Sequence, residues 1–205
     1  TEKEYILDGG WTIQFDPLRG GPKEPVTVED LSDWTLSPDP RIRFYSGPAV
    51  YCKTVELHGL EKYILHFQEV HEVAEVSVNG NKVATIWCSP WEADITDYVA
   101  EGTNELRITV TNVLTNSLIG ESAKPASLRR IYTYPDIASP SDPLVPSGLS
   151  GRVWITDYPS ITKTLKLYGW TVAESDFPSP GNSPSTGTMA SGSSNVLSAS
   201  GSEEV

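Results

Sequence analysis

One segment combines aromatic side chains with a carboxylate in a spacing that suits sugar recognition. Trp87 and Trp91 flank a Ser-Pro pair, and Asp94 follows shortly after. Sugars present C–H faces that stack on an indole ring, and their hydroxyl groups need planar polar partners. We therefore expect Trp91 and Asp94 to bind carbohydrate if they lie at a loop end of the fold. A tryptophan packed between sheets is the alternative.

The other tryptophans divide by their neighbours. Trp11, Trp87 and Trp154 stand among alternating apolar residues, which favours core positions. Trp34, like Trp91, is left open between the core and a sugar-binding surface. Trp170 comes near the end of the patterned sequence and is expected only to seal the edge of the core.

A second cluster combines basic and aromatic residues. Arg129 and Arg130 precede Tyr132 and Tyr134. A guanidinium group can hold a carboxylate through two parallel hydrogen bonds, including the carboxylate of an acidic sugar. Arg130 and Tyr132 are therefore further candidates for carbohydrate binding. The formal net charge of −12 favours internal salt bridges as the other interpretation.

Catalytic groups are harder to assign. Glycoside cleavage needs two carboxyl groups about 5 to 10 Å apart. The acids that could form such a pair are Glu69, Glu72, Glu75, Glu92, Asp94 and Asp97. An acidic surface supplies such pairs by chance, so we interpret them as solvated side chains and assign no catalytic residue. A stand-alone hydrolase using Glu69 and Asp94 remains an alternative.

The sequence indicates no cofactor. The spacing of His58, His66 and His71 matches no zinc motif. A structural Ca²⁺ held by loop oxygens stays open, because such sites leave little trace in a sequence. A disulfide between Cys52 and Cys88 also stays open. The compartment is undetermined, with an extracellular location favoured.

Charge and hydropathy exclude two classes of partner. A chain with a net charge of −12 is repelled by nucleic-acid phosphates and by anionic membranes. No segment approaches the roughly 20 apolar residues of a membrane helix. The first ten residues lack the pattern of a secretory signal, and we take the N-terminus as the cut edge of a longer protein.

Alternation with a period of two residues dominates the chain up to about residue 172. It predicts strands at 11–15, 49–57, 62–69, 74–78, 82–88, 106–110, 151–157 and 163–168. Asn79-Gly80 predicts a hairpin, and a single helical turn is expected at 96–99, capped by Thr96 or Asp94. Long proline-rich loops separate the strands at 16–30, 36–48 and 114–147. Residues 1–172 are thus predicted to form an all-β, two-sheet antiparallel sandwich or jelly roll.

The composition changes near the C-terminus. Residues 178–202 contain nine Ser, four Gly, three Pro and two Thr, and no Lys or Arg follows Glu174. Such a segment cannot bury enough apolar surface to offset its ordering entropy. Residues 173–205 are therefore predicted to be a flexible, disordered tail.

Several motifs resemble the galactose-binding-like domains of family 2 glycoside hydrolases. They are Tyr45–Tyr51 with Lys53-Thr54, Glu69–Gly80, Ile86–Thr96 and Glu101–Asn112. Three more resemble the C-terminal sandwich of glycoside hydrolase family 106, the α-L-rhamnosidases: Gly10–Pro22, Asn116–Gly120 and Asp142–Leu149. Cys52 and Glu121 depart from that pattern, where an Arg and an Asp are usual.

The resemblance implies a non-catalytic accessory domain of a larger glycosidase that acts on plant or microbial polysaccharide. Its partners would be carbohydrate and the catalytic domain of the parent chain, a barrel N-terminal to this module. A free-standing carbohydrate-binding module is the main alternative, and an adhesion domain on the same sandwich is another. Asn104 is expected to cap the turn that feeds the strand at 105–111, and Asn112 and Asn116 are expected to satisfy loop backbone groups.

Overall fold

The computed structural model describes residues 3–59 and 62–158. Ten strands fall in this part of the chain: β1 (Lys3–Ile6), β2 (Trp11–Phe15), β3 (Val26–Val28), β4 (Pro48–Leu57), β5 (Lys62–His71), β6 (Val73–Val78), β7 (Asn81–Ile86), β8 (Glu92–Asp94), β9 (Gly102–Thr111) and β10 (Gly148–Tyr158). Two short helices, α1 (Pro40–Arg43) and α2 (Thr115–Ser122), lie in the connections. Single 3₁₀ turns occur at Pro17–Arg19, Trp34–Leu36, Thr96–Tyr98 and Ala126–Leu128.

The strands form two sheets in which every pair is antiparallel. The four-stranded sheet has the order β1-β10-β5-β8, and the six-stranded sheet has the order β3-β2-β4-β9-β6-β7. Their inner faces enclose one apolar core. The predicted two-sheet antiparallel β-sandwich is confirmed. The predicted strand at 163–168 and the tail at 173–205 lie outside the described residues.

Alternating residues explain why these segments form half-buried strands. In β2, Trp11, Ile13 and Phe15 are buried, while Thr12 and Gln14 are partly exposed. In β9, Leu106 and Ile108 are fully buried, and Arg107 between them faces outward. The pattern buries one face of each strand, which is the main source of stability in a sandwich.

The hairpin between β6 and β7 forms where it was predicted. Asn79 has a φ of 51° and Gly80 a φ of 80°, so both central residues adopt the left-handed conformation of a type I′ turn. Asn104 supports the same end of the sandwich, because its amide donates to the carbonyls of Ala100 and Gly102 and accepts from the Ala100 N–H. The expectation for Asn104 is confirmed.

Two of the predicted core tryptophans are not in the core. Trp11 is 1% exposed, as predicted, but Trp87 is 70% exposed because β7 ends at the inward-facing Ile86. Trp154 points away from the core, since Val153 and Ile155 occupy the inward positions of β10. It stacks on His66 across the outer face of the four-stranded sheet. Trp170 lies outside the described residues.

The disulfide that the sequence left open does not form. Cys52 is half-buried on β4, Cys88 is exposed after β7, and both are free. Among the described residues, no cluster of three or more His, Cys, Asp or Glu could hold a metal ion. The same part of the chain contains no helix with the length and apolar character needed to cross a membrane.

Candidate ligand-binding site

The long connections meet at one end of the sandwich, which we call the loop end. Phe15 at the end of β2 pairs with Ala49 at the start of β4, and Thr111 at the end of β9 pairs with Pro48. Residues 16–25 and 112–147 therefore leave the sheets at the same end, and residues 29–47 return to it before β4. Asn112 and Asn116 tie these connections together.

Both asparagines bond to loop backbone, as predicted. The Asn112 amide accepts from the Gly47 N–H and donates to the Tyr45 carbonyl. The Asn116 amide accepts from the Val145 N–H and donates to the Val145 carbonyl, and both side chains donate to the Ser147 hydroxyl. Because these groups are buried, the hydrogen bonds fix the loops relative to one another.

A groove at the loop end is lined by four basic side chains. We call it the basic groove; it lies between α1, α2 and the turn at Pro17–Arg19, and its cavity volume is about 410 Å³. Its cations are Arg19, Arg41, Lys124 and Arg130. Such a concentration of positive charge in a chain with a net charge of −12 favours an anionic ligand.

A buried carboxylate, Glu121, organises one wall of the basic groove. Its Oε1 accepts hydrogen bonds from Lys124 Nζ and Arg130 Nε, both at 2.9 Å, and its Oε2 accepts from the Arg130 backbone N–H at 2.8 Å. Burial alone would raise the pKa of Glu121, but the hydrogen bonds from Lys124 and Arg130 outweigh it and lower that pKa. Glu121 is therefore held ionised beneath the two cations.

Arg130 is held in place on both sides. Its Nε is bound to Glu121, and its guanidinium group lies over Gly20, where an added Cβ would stand 1.9 Å from Nη1. Gly20 also has a φ of 86°, which disfavours other residues there. Neither terminal nitrogen of Arg130 forms a hydrogen bond within residues 3–59 and 62–158.

The remaining cations differ in how far they are neutralised. Arg19 extends over Gly47 and reaches Asp16 only at 3.6 Å from its Nε. Arg41, in contrast, binds both carboxylate oxygens of Asp39, with Nη2 to Oδ2 at 2.7 Å. The hydrogen bonds from Arg41 lower the pKa of Asp39 despite some desolvation. Arg19 and Arg130 are thus the arginines of the groove whose two Nη atoms both lack an acceptor among the described residues.

Phe44 supplies an apolar wall to the basic groove. It follows α1 and packs against Gly120 of α2, where an added Cβ would come within 2.7 Å of the Phe44 side chain. The Arg43 guanidinium lies 5.8 Å from the centre of the same ring. The site therefore combines hydrogen-bond donors with an aromatic surface, which is the combination that sugar ligands require.

The five predicted site residues do not form one site. Trp34 is buried, and its Nε1 donates to the Tyr51 hydroxyl at 2.7 Å. Trp91 is half-buried against the core, and its carbonyl accepts from the Phe67 N–H. Neither Trp91 nor Asp94 lines the basic groove. Tyr132 is 75% exposed near α2, so Arg130 alone of the five contributes to the groove.

Asp94 has a local structural role. Its Oδ1 accepts from the Thr96 N–H at 3.1 Å and from the Thr96 hydroxyl at 2.6 Å. The N-cap of the turn at Thr96–Tyr98 is nevertheless Ile95, so the predicted cap, Thr96 or Asp94, is wrong. Its Oδ2 lies 3.6 Å from Lys62 Nζ. Asp94 pairs with Ile64 on β5 and is exposed at the edge of the four-stranded sheet.

The arginine pair makes the internal salt bridges that the acidic composition favoured. Arg129 Nη1 lies 3.0 Å from Asp136, and Arg130 binds Glu121. Arg129 also donates to the carbonyls of Lys124 and Ser122. Arg130 differs from Arg129 because its terminal nitrogens remain turned to the groove rather than to backbone carbonyls.

The shifted pKa values of the carboxyl groups all move in one direction. In the described part of the chain, the pKa is lowered for four carboxyl groups: Asp39, Glu69, Glu101 and Glu121. For Glu69 the main cause is the hydrogen bond from Ser150. A glycosidase acid needs the opposite shift. None of these four groups therefore has the raised pKa of such an acid.

Comparison with known proteins identifies the fold. Residues 26–144 match the glycosyl hydrolase 2 galactose-binding domain-like family. The match spans more than half of the chain. This protein belongs to that family. Arg41, Glu121, Lys124 and Arg130 lie within the matched region of this galactose-binding-like domain, whereas Arg19 and Gly20 precede it.

The relatives are glycosidases much longer than this domain. A Formosa agariphila protein named as a candidate beta-glucuronidase is 33% identical over 135 residues, which cover 61% of this chain and 11% of that protein. The structure of a rhamnosidase from Novosphingobium sp. PP1Y is 32% identical with a TM-score of 0.71, covering 77% of this chain and 15% of the other. The galactose-binding-like domain thus spans a small part of each.

A more distant structure shares the fold. A β-glucuronidase from Ruminococcus gnavus, in complex with D-glucuronic acid, has a TM-score of 0.57 and 24% identity. The match covers 77% of this chain and 30% of that enzyme.

Sequence reasoning missed most of the basic groove. In the sequence, Glu121 stands out only as a departure from the family 106 motif, although its position nine residues before Arg130 lets the two meet after α2. Arg19, Gly20 and Arg41 carried no local signal, because the groove forms only when distant loops are brought together.

Proposed function

We propose that this galactose-binding-like domain is a non-catalytic accessory domain of a larger glycosidase, of the α-L-rhamnosidase type of family 106. The observation that carries the proposal is the similarity to the Novosphingobium rhamnosidase over 77% of this chain but only 15% of that enzyme. The lowered carboxyl pKa values fit a domain without a general acid of its own. Its partners would be the catalytic domain of the parent chain and a plant or microbial polysaccharide.

Two measurements test this proposal. The purified chain is assayed against aryl α-L-rhamnoside and aryl β-D-glucuronide, and an antibody against the chain is used to detect the native polypeptide in the source cells. We expect no hydrolysis by the chain, and a native polypeptide far longer than 205 residues that cleaves the rhamnoside. Hydrolysis by the chain that is lost in Glu69→Gln or Asp94→Asn would overturn the proposal.

The native size separates the accessory domain from a free-standing module. A native polypeptide no longer than this chain would contradict an accessory role. A long native polypeptide that cleaves only the glucuronide would retain the accessory role but contradict the rhamnosidase assignment.

A further inference from the structure

We propose that the basic groove binds an anionic sugar through its carboxylate, with Arg130 and Arg19 as the anion-binding residues and Phe44 as the stacking surface. A uronic acid is the class of ligand that fits. The proposal rests on the proposed function only in choosing a sugar as the carrier of the carboxylate.

Arg130 and Arg19 both keep hydrogen-bond donors that no described residue uses. Arg130 uses only its Nε in a side-chain hydrogen bond, and its Nη1 and Nη2 have no acceptor among the described residues. Arg19 approaches Asp16 at 3.6 Å but forms no side-chain hydrogen bond in the same part of the chain. A carboxylate can accept two parallel N–H bonds from one guanidinium, which is the arrangement that Arg130 leaves open.

Arg130 is preorganised for a ligand. Arg130 is fixed by Glu121 on one side and by Gly20 beneath it, and Arg19 directly precedes Gly20 in the chain. The Arg130 guanidinium is therefore held at the groove before any ligand arrives, and Arg19 lines the same groove. Arg130 loses little side-chain entropy on binding, which favours affinity at a shallow surface site.

The basic groove has room for the rest of the ligand. The cavity volume of about 410 Å³ falls in the range of sites for small organic ligands. Phe44 lines the same cavity as Arg130, so a sugar ring could place a C–H face against it while its carboxylate meets the guanidinium. An acidic protein side chain would use the arginines but not the aromatic wall.

The test is a titration followed by ¹H–¹⁵N NMR. The full chain is titrated with D-glucuronate, D-galacturonate, D-glucose, acetate and sulfate at constant ionic strength. We expect saturable shifts for a uronate at the amides of Gly20, Ser117 and Gly120, and no saturation by glucose. Equal affinity for acetate or sulfate, or no saturation by either uronate, would overturn the proposal.

Matched variants locate the site. Arg130→Gln and Arg130→Lys should each raise the uronate Kd about tenfold, because a lysine keeps the charge but loses the paired donors. Arg19→Gln should raise it about threefold, since it removes one nearby charge. Lys124 and the backbone N–H of residue 130 would still satisfy Glu121 in the Arg130 variants, so the fold is retained.

Arg152→Gln provides the control. Arg152 is 53% exposed and lies 3.7 Å from Glu4, which matches the exposure and loose pairing of Arg19 at 54% and 3.6 Å. It lies on β10 and does not line the basic groove. Its uronate Kd should stay within about twofold of the wild type. An equal loss of uronate affinity in Arg152→Gln and Arg19→Gln would contradict a local site. Neither result tests whether the parent protein is a glycosidase.

Discussion

The Glu121 side chain accepts from both the side chain and the backbone of Arg130, with Nε to Oε1 at 2.9 Å and N to Oε2 at 2.8 Å. The carboxylate is buried, while the arginine side chain stays 44% exposed at the groove. A buried acid thus joins α2 to the segment that follows it. This pairing makes Glu121 the residue on which the shape of the basic groove depends.

Replacing Glu121 with Gln should destabilise the domain by about 1–2 kcal/mol, because a charged acceptor of three hydrogen bonds is lost from a buried position. The free energy of unfolding from urea titrations at neutral pH measures the effect. Glu75→Gln is the matched control, since Glu75 is exposed and bonded only to Lys82. Its cost should stay within about 0.5 kcal/mol. Equal losses in the two variants would contradict the role given to Glu121.

The contribution of Glu121 should depend on pH. Its folded-state pKa lies below the ordinary value, so its stabilisation is present above the unfolded-state pKa of about 4.3 and is lost as pH falls through the folded-state pKa. The stability difference between the wild type and Glu121→Gln should therefore be constant near neutral pH and shrink in acid. The other carboxyl groups with a lowered pKa are present in both proteins, so their contributions cancel in the stability difference. A stability difference that grows in acid would contradict this prediction.

Gly20→Ala should disturb both the backbone and the basic groove. The new Cβ would meet Arg130 Nη1 at 1.9 Å, and the φ of 86° adds backbone strain. We expect a loss of about 1–3 kcal/mol in the free energy of unfolding and a displaced Arg130 side chain. Gly10→Ala separates the two effects, because its φ is 61° but nothing lies within 4 Å of the added Cβ. If only the backbone matters, Gly20→Ala and Gly10→Ala will lose the same free energy of unfolding. The NMR chemical shifts of the Arg130 side chain and of the Phe44 ring, which line the same groove, will then be unchanged.

Tyr51→Phe should destabilise the domain strongly, although it removes only one oxygen atom. The Tyr51 hydroxyl accepts from Trp34 Nε1 at 2.7 Å and from the Leu149 N–H at 3.1 Å, and burial raises the pKa of this phenol. Phenylalanine leaves two buried donors without an acceptor, at a cost of about 2–4 kcal/mol. The midpoint of thermal unfolding reports the loss. Tyr132→Phe removes an oxygen from a ring that is 75% exposed and should leave the midpoint unchanged.

The strands and one hairpin were predictable because their signals are local. Alternation places residues such as Ile108 on one face of a strand, and Asn79-Gly80 demands a tight turn wherever the flanking strands pair. The asparagines were predictable as satisfiers of loop backbone for a similar reason, since short amides compete well for such groups. These features depend little on what the rest of the chain does.

The residues whose positions were predicted wrongly are placed by long-range structure. Trp87 was expected in the core, but its strand ends one residue earlier, and Trp154 follows a register shift between Ser150 and Val153 that is not visible in the sequence. Helix α2 was not predicted because its eight residues include few apolar ones. Asn116 and Ser117 hold it instead through bonds to Val145 and Phe44. Long-range hydrogen bonds of this kind leave no periodic signal.

The gathering of the long connections at one end of the sandwich has a consequence for how such a domain diversifies. Strand pairing is set by the two sheets, and the entropy of closing a longer connection grows only slowly with its length. Segments 16–25 and 112–147 can therefore accept insertions without disturbing the register of β4 against β9. The loop end of the sandwich can therefore change its specificity while the pairing of the strands stays the same.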